Sequence, residues 1–198
     1  MKKKIFSFIT TTRADYDLLS LLLKKISKIK TIKLNLVVSG THFEKDFGYS
    51  YKNIIDDGLK INKKIKLNIN NKNSSNLFKS NSLFFYELSK HLIKTKPFCV
   101  VLLGDRLEIL ISAIVAHTLN IPIIHIGGGE LTFGSTDDSF RHSITKMSAL
   151  HCVSNKKYKK RLIQLGENPK NIYITGDPSN ELILNEKLLT VKDLEKKF

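Results

Sequence analysis

The sequence predicts an α/β protein, a Rossmann-like doubly wound parallel sheet with helices on both faces. Three observations predict it. Apolar β-like runs alternate with helical patterns along the whole chain, as βαβ units require. The central runs, such as "FCVVLLG" and "IPIIHIG", are apolar at nearly every position rather than at every second one, which suits strands buried on two faces. No internal repeat and no domain linker interrupts the alternation. One domain is therefore expected for the 198 residues, with an appendage no longer than the last twenty.

The elements follow in order. "KIFSFIT" at 4–10 reads as a buried strand, and "YDLLSLLLKKISKI" from Tyr16 as an amphipathic helix with Asp15 or Asp17 near its cap. "IKLNLVVSG" at 32–40 is a strand ended by glycine, followed by the loop "THFEKDFG" and a short helix near 49–57. "LKINKKIKLNI" at 59–69 alternates apolar and polar residues, the pattern of an edge strand. "NNKNSSN" is a polar loop, and a long helix runs through "LFKSNSLFFYELSKHLIKT". "FCVVLLGD" is a central strand, "RLEILISAIVAHTLN" a helix apolar nearly all round, and "IPIIHIGGG" another central strand. "DSFRHSITKMSAL" is a helix, "HCVSN" a short strand, "KKYKKRLIQLGE" a basic helix and "KNIYITGD" the last strand. "PSNELILNEKLLTVKDLEKKF" closes the chain as helix.

Composition narrows the function classes. A 41% apolar and 26% charged chain with four prolines is globular rather than disordered. The net charge of +15 has an ordinary cause, lysines spread along the chain, and a sharper one, an anionic partner. No basic stripe interleaves with aromatics and no reader motif appears, so nucleic acid is not the expected partner. Cys99 and Cys152 lie in apolar runs without CxxC spacing, which points to buried thiols rather than a metal pair or disulfide. With no run of membrane-spanning length and no proper signal peptide, a cytoplasmic protein off the membrane is expected.

Sheets of this class bind ligands outside the carboxyl ends of their strands, near a topological switch point. That rule selects "TTTRADYD", "GTHFEKDFG", "GDRLE" and "GGGELTFGSTDD", the loops after Ile9, Ser39, Leu103 and Ile126. In the first, Arg13 stands before a helix N-terminus, where it pairs either with an anion or with Asp15 or Asp17. Neither a P-loop nor a dinucleotide fingerprint is present. In the third, Asp105 is placed to cap the following helix, and Arg106 beside it is expected to hold a neighbouring carboxylate ionised. In the fourth, the glycines at 127–129 let the backbone turn sharply before Glu130. Asp137 or Asp138 is placed as the next N-cap, with Arg141 four residues past Asp137 on the same helical face and His142 beside it. Asp105, Glu130 and Asp137 would share one cleft. Clustered carboxylates push each other's pKa values apart, which suits acid/base work or a cationic, oxocarbenium-like transition state at a sugar.

Six stretches in register carry a resemblance: "TTTRADYDLLSLLLKKI", "VVSGTHFEKDFG", "VLLGDRLEIL", "IPIIHIGGGELT", "DDSFRHSITKMSALHCVS" and "YKKRLIQLGENPKNIYITGDPSNELI". The chain resembles, to about residue 185, the N-terminal half of the hydrolysing UDP-N-acetylglucosamine 2-epimerases of bacterial sialic- and legionaminic-acid synthesis. "HIGGGELT" stands where the non-hydrolysing branch tends to have a "HVEAGLR"-like string. The resemblance implies a two-domain GT-B-type enzyme. Residues 1–185 would form its N-terminal domain and 186–198 would begin a crossover toward a second domain that lies outside this chain. It implies anti elimination of the nucleotide across C1 and C2, a glycal intermediate, and hydration to free N-acetylmannosamine, with no metal or redox cofactor. It implies Asp105, Glu130 and Asp137 as catalytic carboxylates, with the acid and base roles open and Asp138 in reserve. Arg13 matches a residue near the phosphates or sugar, and His42 and Arg141 match positions lining the cleft. Asp15, Arg106, Asp138 and His142 complete the expected substrate-binding set. A nucleotide sugar, a separate C-terminal domain and, as in full-length relatives, a second copy of the chain are the expected partners. A GDP-sugar substrate, a glycosyltransferase N-domain and a non-enzymatic anion- or nucleic-acid-binding module are the competing readings.

Overall fold

The computed structural model describes residues 3–67, 74–132 and 134–185. Among them the chain runs β1 (Lys4–Thr10), α1 (Arg13–Ser27), β2 (Ile32–Val38), α2 (Tyr51–Asp56), β3 (Lys63–Lys64), α3 (Ser74–Thr95), β4 (Cys99–Leu103) and α4 (Leu107–Thr118). It continues through β5 (Ile123–Ile126), α5 (Asp137–Met147), β6 (Leu150–Val153), α6 (Lys156–Gln164), β7 (Ile172–Ile174) and α7 (Pro178–Asn185). Short 3₁₀ turns cover Gly40–Phe43, Lys45–Phe47 and Pro169–Asn171.

The seven strands form one parallel sheet in the order β3-β2-β1-β4-β5-β6-β7. β1 pairs with β2 on one side and β4 on the other, so the order reverses there. The loops after β1 and β4 consequently flank the switch-point crevice, where a parallel sheet leaves room for a ligand. The doubly wound α/β fold expected from the alternation is the fold observed.

Both sheet faces are dry. Val100 and Leu102 of β4 join Ile9, Phe84, Leu88, Leu92, Ile109 and Ile144 on the face covered by α3, α4 and α5. Cys99, Val101 and Leu103 turn to the other face and join Phe8, Tyr16, Leu19, Leu23 and Ile54 under α1 and α2. Successive side chains of one strand thus enter two different layers, which is why β4 reads as unbroken hydrophobicity. Truncating a fully buried residue such as Leu88 to alanine removes about 2–5 kcal/mol. Cys99 and Cys152 are free thiols. Burial pushes both upward, Cys99 to about 12, so neither is a ready thiolate.

Three boundaries differ from expectation. α1 begins at Arg13 rather than Tyr16, because Thr12 and Asp15 form a capping box that winds three further residues. The edge strand foreseen at 59–69 pairs only at Lys63–Lys64. Its alternation is real, since Leu59, Ile65 and Leu67 are buried. However, Asn62 answers Leu36 with its side chain as well as its backbone, its Oδ1 accepting from the Leu36 amide at 2.9 Å. A side-chain bond there replaces a rung of the ladder. Ser74–Asn76, expected in the polar loop, are the first turn of α3. The ends of those two predictions, 68–69 and 70–73, lie outside the described residues, as does the crossover expected at 186–198.

Candidate active site

The site is built on the turns after β4, β5, β6 and β7. β4 ends at Leu103, and Gly104–Asp105–Arg106 carry the chain into α4. Asp105 does not cap that helix: the capping position is Arg106, and no side chain bonds there. Asp105 instead points toward α5 and receives the Arg141 guanidinium, an ion pair formed across 36 residues of sequence. Arg141 is only 7% exposed. It also reaches Asp138 Oδ1 at 3.5 Å and donates to Thr132 Oγ1 at 3.2 Å. One buried cation therefore ties together the β4 turn, the stretch after the glycine run, and the first turn of α5. A guanidinium suits this because its donors are fixed in a plane.

This corrects the expected partner of Asp105. Arg106, its sequence neighbour, turns away and pairs with Glu108 at 3.5 Å. Nor is the Asp105 carboxyl held low. Burial raises it above the ordinary carboxylate value, outweighing the Arg141 charge that lowers it, and the charge of Asp137 raises it further. Asp137 and Asp138 are not N-caps either. Thr136 holds the capping position without a side-chain bond, and Asp138 Oδ1 accepts from the Thr132 amide at 2.8 Å. The Arg141 pairing within α5 is thus with Asp138, three residues back, rather than Asp137.

A cavity of about 350 Å³ opens at this point, walled by Asp105, Arg106, Glu130 and Arg141, with Leu18, Leu103 and Ile126 as its apolar side. Glu130 accepts from Ser154 Oγ at 3.1 Å, which fixes it on the turn after β6. Asp137 is not on this wall; it acts on Asp105 through its charge. His142 sits one residue past Arg141, half-buried, with its Nδ1 buried and unpartnered.

A second cavity, about 650 Å³, lies toward β1 and β2 and is lined by Thr12, Arg13, Ala14, Thr41, Phe47 and Arg106. Arg106 borders both cavities. Arg13 is exposed and 3.7 Å from Asp17, a loose surface pair. The capping box takes up the Thr12 and Asp15 amides. Arg13 and Ala14, whose first-turn amides a helix leaves without an internal partner, line this cavity.

Two expected binding residues have structural work. Asp15 accepts from the amides of Thr11 and Thr12 and from Thr11 Oγ1, the last at 2.9 Å, although its edge reaches the acidic cavity. His42, expected on the cleft wall, is fully buried behind it. Its ring bridges Thr10 Oγ1 at 3.0 Å and Ser50 Oγ at 2.8 Å, and burial lowers its pKa to about 4. The loop that carries it crosses close over β1's end. A methyl on Gly40 would lie 2.3 Å from the Thr11 carbonyl oxygen, at a φ of +61°, so only glycine fits.

The sequence reading passed over Ser154, Asp177, Pro178 and Ser179. The last three line the acidic cavity, and Asp177 Oδ1 accepts from the Ser179 amide at 2.9 Å. Their signal was present. "GDPS" follows a strand as "GDRL" does, and the carboxyl-end rule applied to β6 and β7 selects both turns. Among the described residues no group of three or more His, Cys, Asp or Glu is placed to hold a metal ion, and no helix is long and apolar enough to cross a membrane.

Known proteins are similar to this chain. Residues 24–198 match the UDP-N-acetylglucosamine 2-epimerase family. A Campylobacter jejuni protein named GDP/UDP-N,N'-diacetylbacillosamine 2-epimerase (hydrolyzing) is 43% identical over 99% of this chain and 51% of its own length. The Escherichia coli polysialic acid biosynthesis protein P7 is 38% identical over 99% of this chain and 50% of its own. The chain spans about half the length of the curated relatives it matches. A crystal structure of the Neisseria meningitidis UDP-GlcNAc 2-epimerase bound to UDP-GlcNAc shares the fold, with a TM-score of 0.78 at 20% identity over 93% of this chain and 49% of that one. The chain belongs to the UDP-N-acetylglucosamine 2-epimerase family.

Proposed function

We propose that this chain is the sugar-binding, acid/base half of a hydrolysing 2-epimerase acting on UDP-N-acetylglucosamine. One observation carries the reading: Asp105 and Glu130 line a single cavity in which the buried Arg141 is already engaged by Asp105. The sugar lies against these acids, and the diphosphate lies toward Arg13, Arg106 and the start of α1. A carboxylate takes the C2 proton while the C1–O bond breaks and its electron pair leaves with UDP. The C2 proton is weakly acidic, so bond cleavage runs ahead and positive charge grows at C1. Fixed carboxylates in a cavity with an apolar wall stabilise that charge better than water does. Water then adds across the glycal, hydroxyl to C1 and a proton to C2 from the opposite face, releasing N-acetylmannosamine. The raised pKa of Asp105 suits a group that holds a proton for part of this cycle.

The chain's relatives are about twice its length, and a second domain supplying further nucleotide contacts is part of this proposal, as is a second copy of the chain. Proton NMR with UDP-N-acetylglucosamine in deuterated water tests it, first with this chain and then with the remaining half supplied in trans. Weak turnover or none is expected of this chain alone and free N-acetylmannosamine deuterated at C2 once the remaining half is supplied, and Asp105→Asn should abolish it without unfolding the protein. An unaltered substrate in both preparations would sink the reading. The name of the Campylobacter relative favours a second substrate, a GDP- or UDP-linked 2,4-diacetamido sugar. The same experiment with that sugar decides between them.

A further inference from the structure

Beneath the three segments that carry the acidic groups lies one buried contact. His125, the third residue of β5, and Thr145 of α5 are both fully buried. The imidazole Nε2 lies 2.9 Å from the carbonyl oxygen of Gly104, the residue before Asp105. A carbonyl only accepts, so Nε2 carries the hydrogen. Nδ1 is then the acceptor, and Thr145 Oγ1 lies 3.2 Å from it as donor. Thr145 follows Arg141 by four residues, one turn along α5. The glycine run closes over the same pair. A methyl on Gly128 would lie 3.1 Å from Thr145 Oγ1 and 3.2 Å from His125 Nδ1. The backbone leading to Glu130 therefore rests directly on the bridge, and Gly128 is there for contact rather than for an unusual backbone angle.

We infer that His125, bridged to Thr145, is the positioning residue of the acidic cavity, setting the spacing of the Asp105 turn, the Glu130 turn and the Arg141 helix. The inference rests on the reading of that cavity as the sugar site, but the bridge stands on its own geometry. The imidazole acts as a neutral spacer with one donor and one acceptor, touching no substrate. Burial favours its neutral form most, and the charges of His151 on the neighbouring strand, Arg141 and His142 act in the same direction. Such support holds a site to the small tolerances that acid/base chemistry needs.

The test uses the full chain, with ¹⁵N-labelled histidine and ¹³C-carboxyl-labelled aspartate, followed by NMR from pH 3 to 8. In the unmodified protein His125 should show the Nε2–H tautomer with a hydrogen-bonded Nδ1. Thr145→Val keeps the shape and removes the donor. The Nδ1 signal should then shift to that of an unbonded nitrogen. The Asp105 titration midpoint should fall toward the ordinary carboxylate value as the turn loosens and water enters. Thr145→Ser should restore both. If Thr145→Val does not fold, Gly128→Ala presses on the same bridge from the other side and should move the same two signals. An Nδ1–H tautomer in the unmodified protein overturns the inference, as does an Asp105 midpoint that ignores every folded variant. None of these readouts needs turnover. A chain that binds no nucleotide sugar would defeat the proposed function and leave the bridge separately decided.

Discussion

The turns after β1 and β2 and those after β4 and β5 carry the same kinds of residue and use them in opposite ways. On the β1–β2 side, Asp15 closes a capping box and His42 is sealed between two hydroxyls. Arg13 stays in the open, loosely paired, and Asp46 after β2 is exposed on the same cavity. On the β4–β5 side, His125 again disappears into the core, but Asp105 and Glu130 remain on a cavity wall. Charge after a strand end therefore does not mark a site by itself. What separates the two acids is their partners: Asp15 is held by the Thr11 and Thr12 groups of its own helix start, whereas Asp105 takes its ion partner from a distant helix and stays on the cavity wall.

The comparison breaks most visibly at the two arginines. Arg141→Ala should destabilise the fold by about 3–5 kcal/mol, because it removes a buried cation that pairs with the partly buried Asp105 carboxylate and with Asp138. Arg13→Ala should change stability by less than about 1 kcal/mol, since its pair is exposed. Urea denaturation at neutral pH measures both, and equal losses would erase the distinction between the two sides.

The two buried histidines should behave alike. Each has a folded pKa of about 4 against an ordinary 6.5, with burial the largest cause. The unfolded chain therefore takes up the protons first. The stabilisation is complete above pH 6.5 and drains away as pH falls toward 4, by about 2–3 kcal/mol for each ring. Denaturation midpoints at pH 7 and pH 4.5 read this. His42→Phe and His125→Phe, taken singly, should each flatten part of the slope.

The smallest effect concerns the cap. Asp15→Ala should lower stability by about 0.5–2 kcal/mol through the lost capping box. Any loss of turnover should follow that unfolding and disappear at low temperature. A turnover defect that persists in fully folded protein would return Asp15 to the catalytic side, where its edge touches the cavity.

Much of this was legible in advance, and particular residues show why. Val100 to Leu103 announce a strand buried on two faces by their unbroken apolarity. The repeated strand–helix alternation leaves little choice but a parallel sheet with right-handed crossovers. Those crossovers bring the turns after β1, β4 and β5 to one edge. Asp105, Glu130 and Asp137 were thus expected to share one cleft before any coordinates, and the first two do line one cavity. The two-residue β3 was not, because Asn62 bonds Leu36 with a side chain that reads as a polar strand position.

By itself the sequence determined the elements, their order and the edge at which the chemistry gathers, since periodicity and turn residues act over a few positions. Only the tertiary structure decided who pairs with whom. Arg106 adjoins Asp105 in sequence yet bonds Glu108, while Arg141, 36 residues away, takes the carboxylate. His42 and His125 look alike as isolated ring nitrogens, and their partners come from other segments of the chain. A side chain's direction and burial are fixed by the elements packed against it, and those come from distant parts of the chain, so no local pattern contains them.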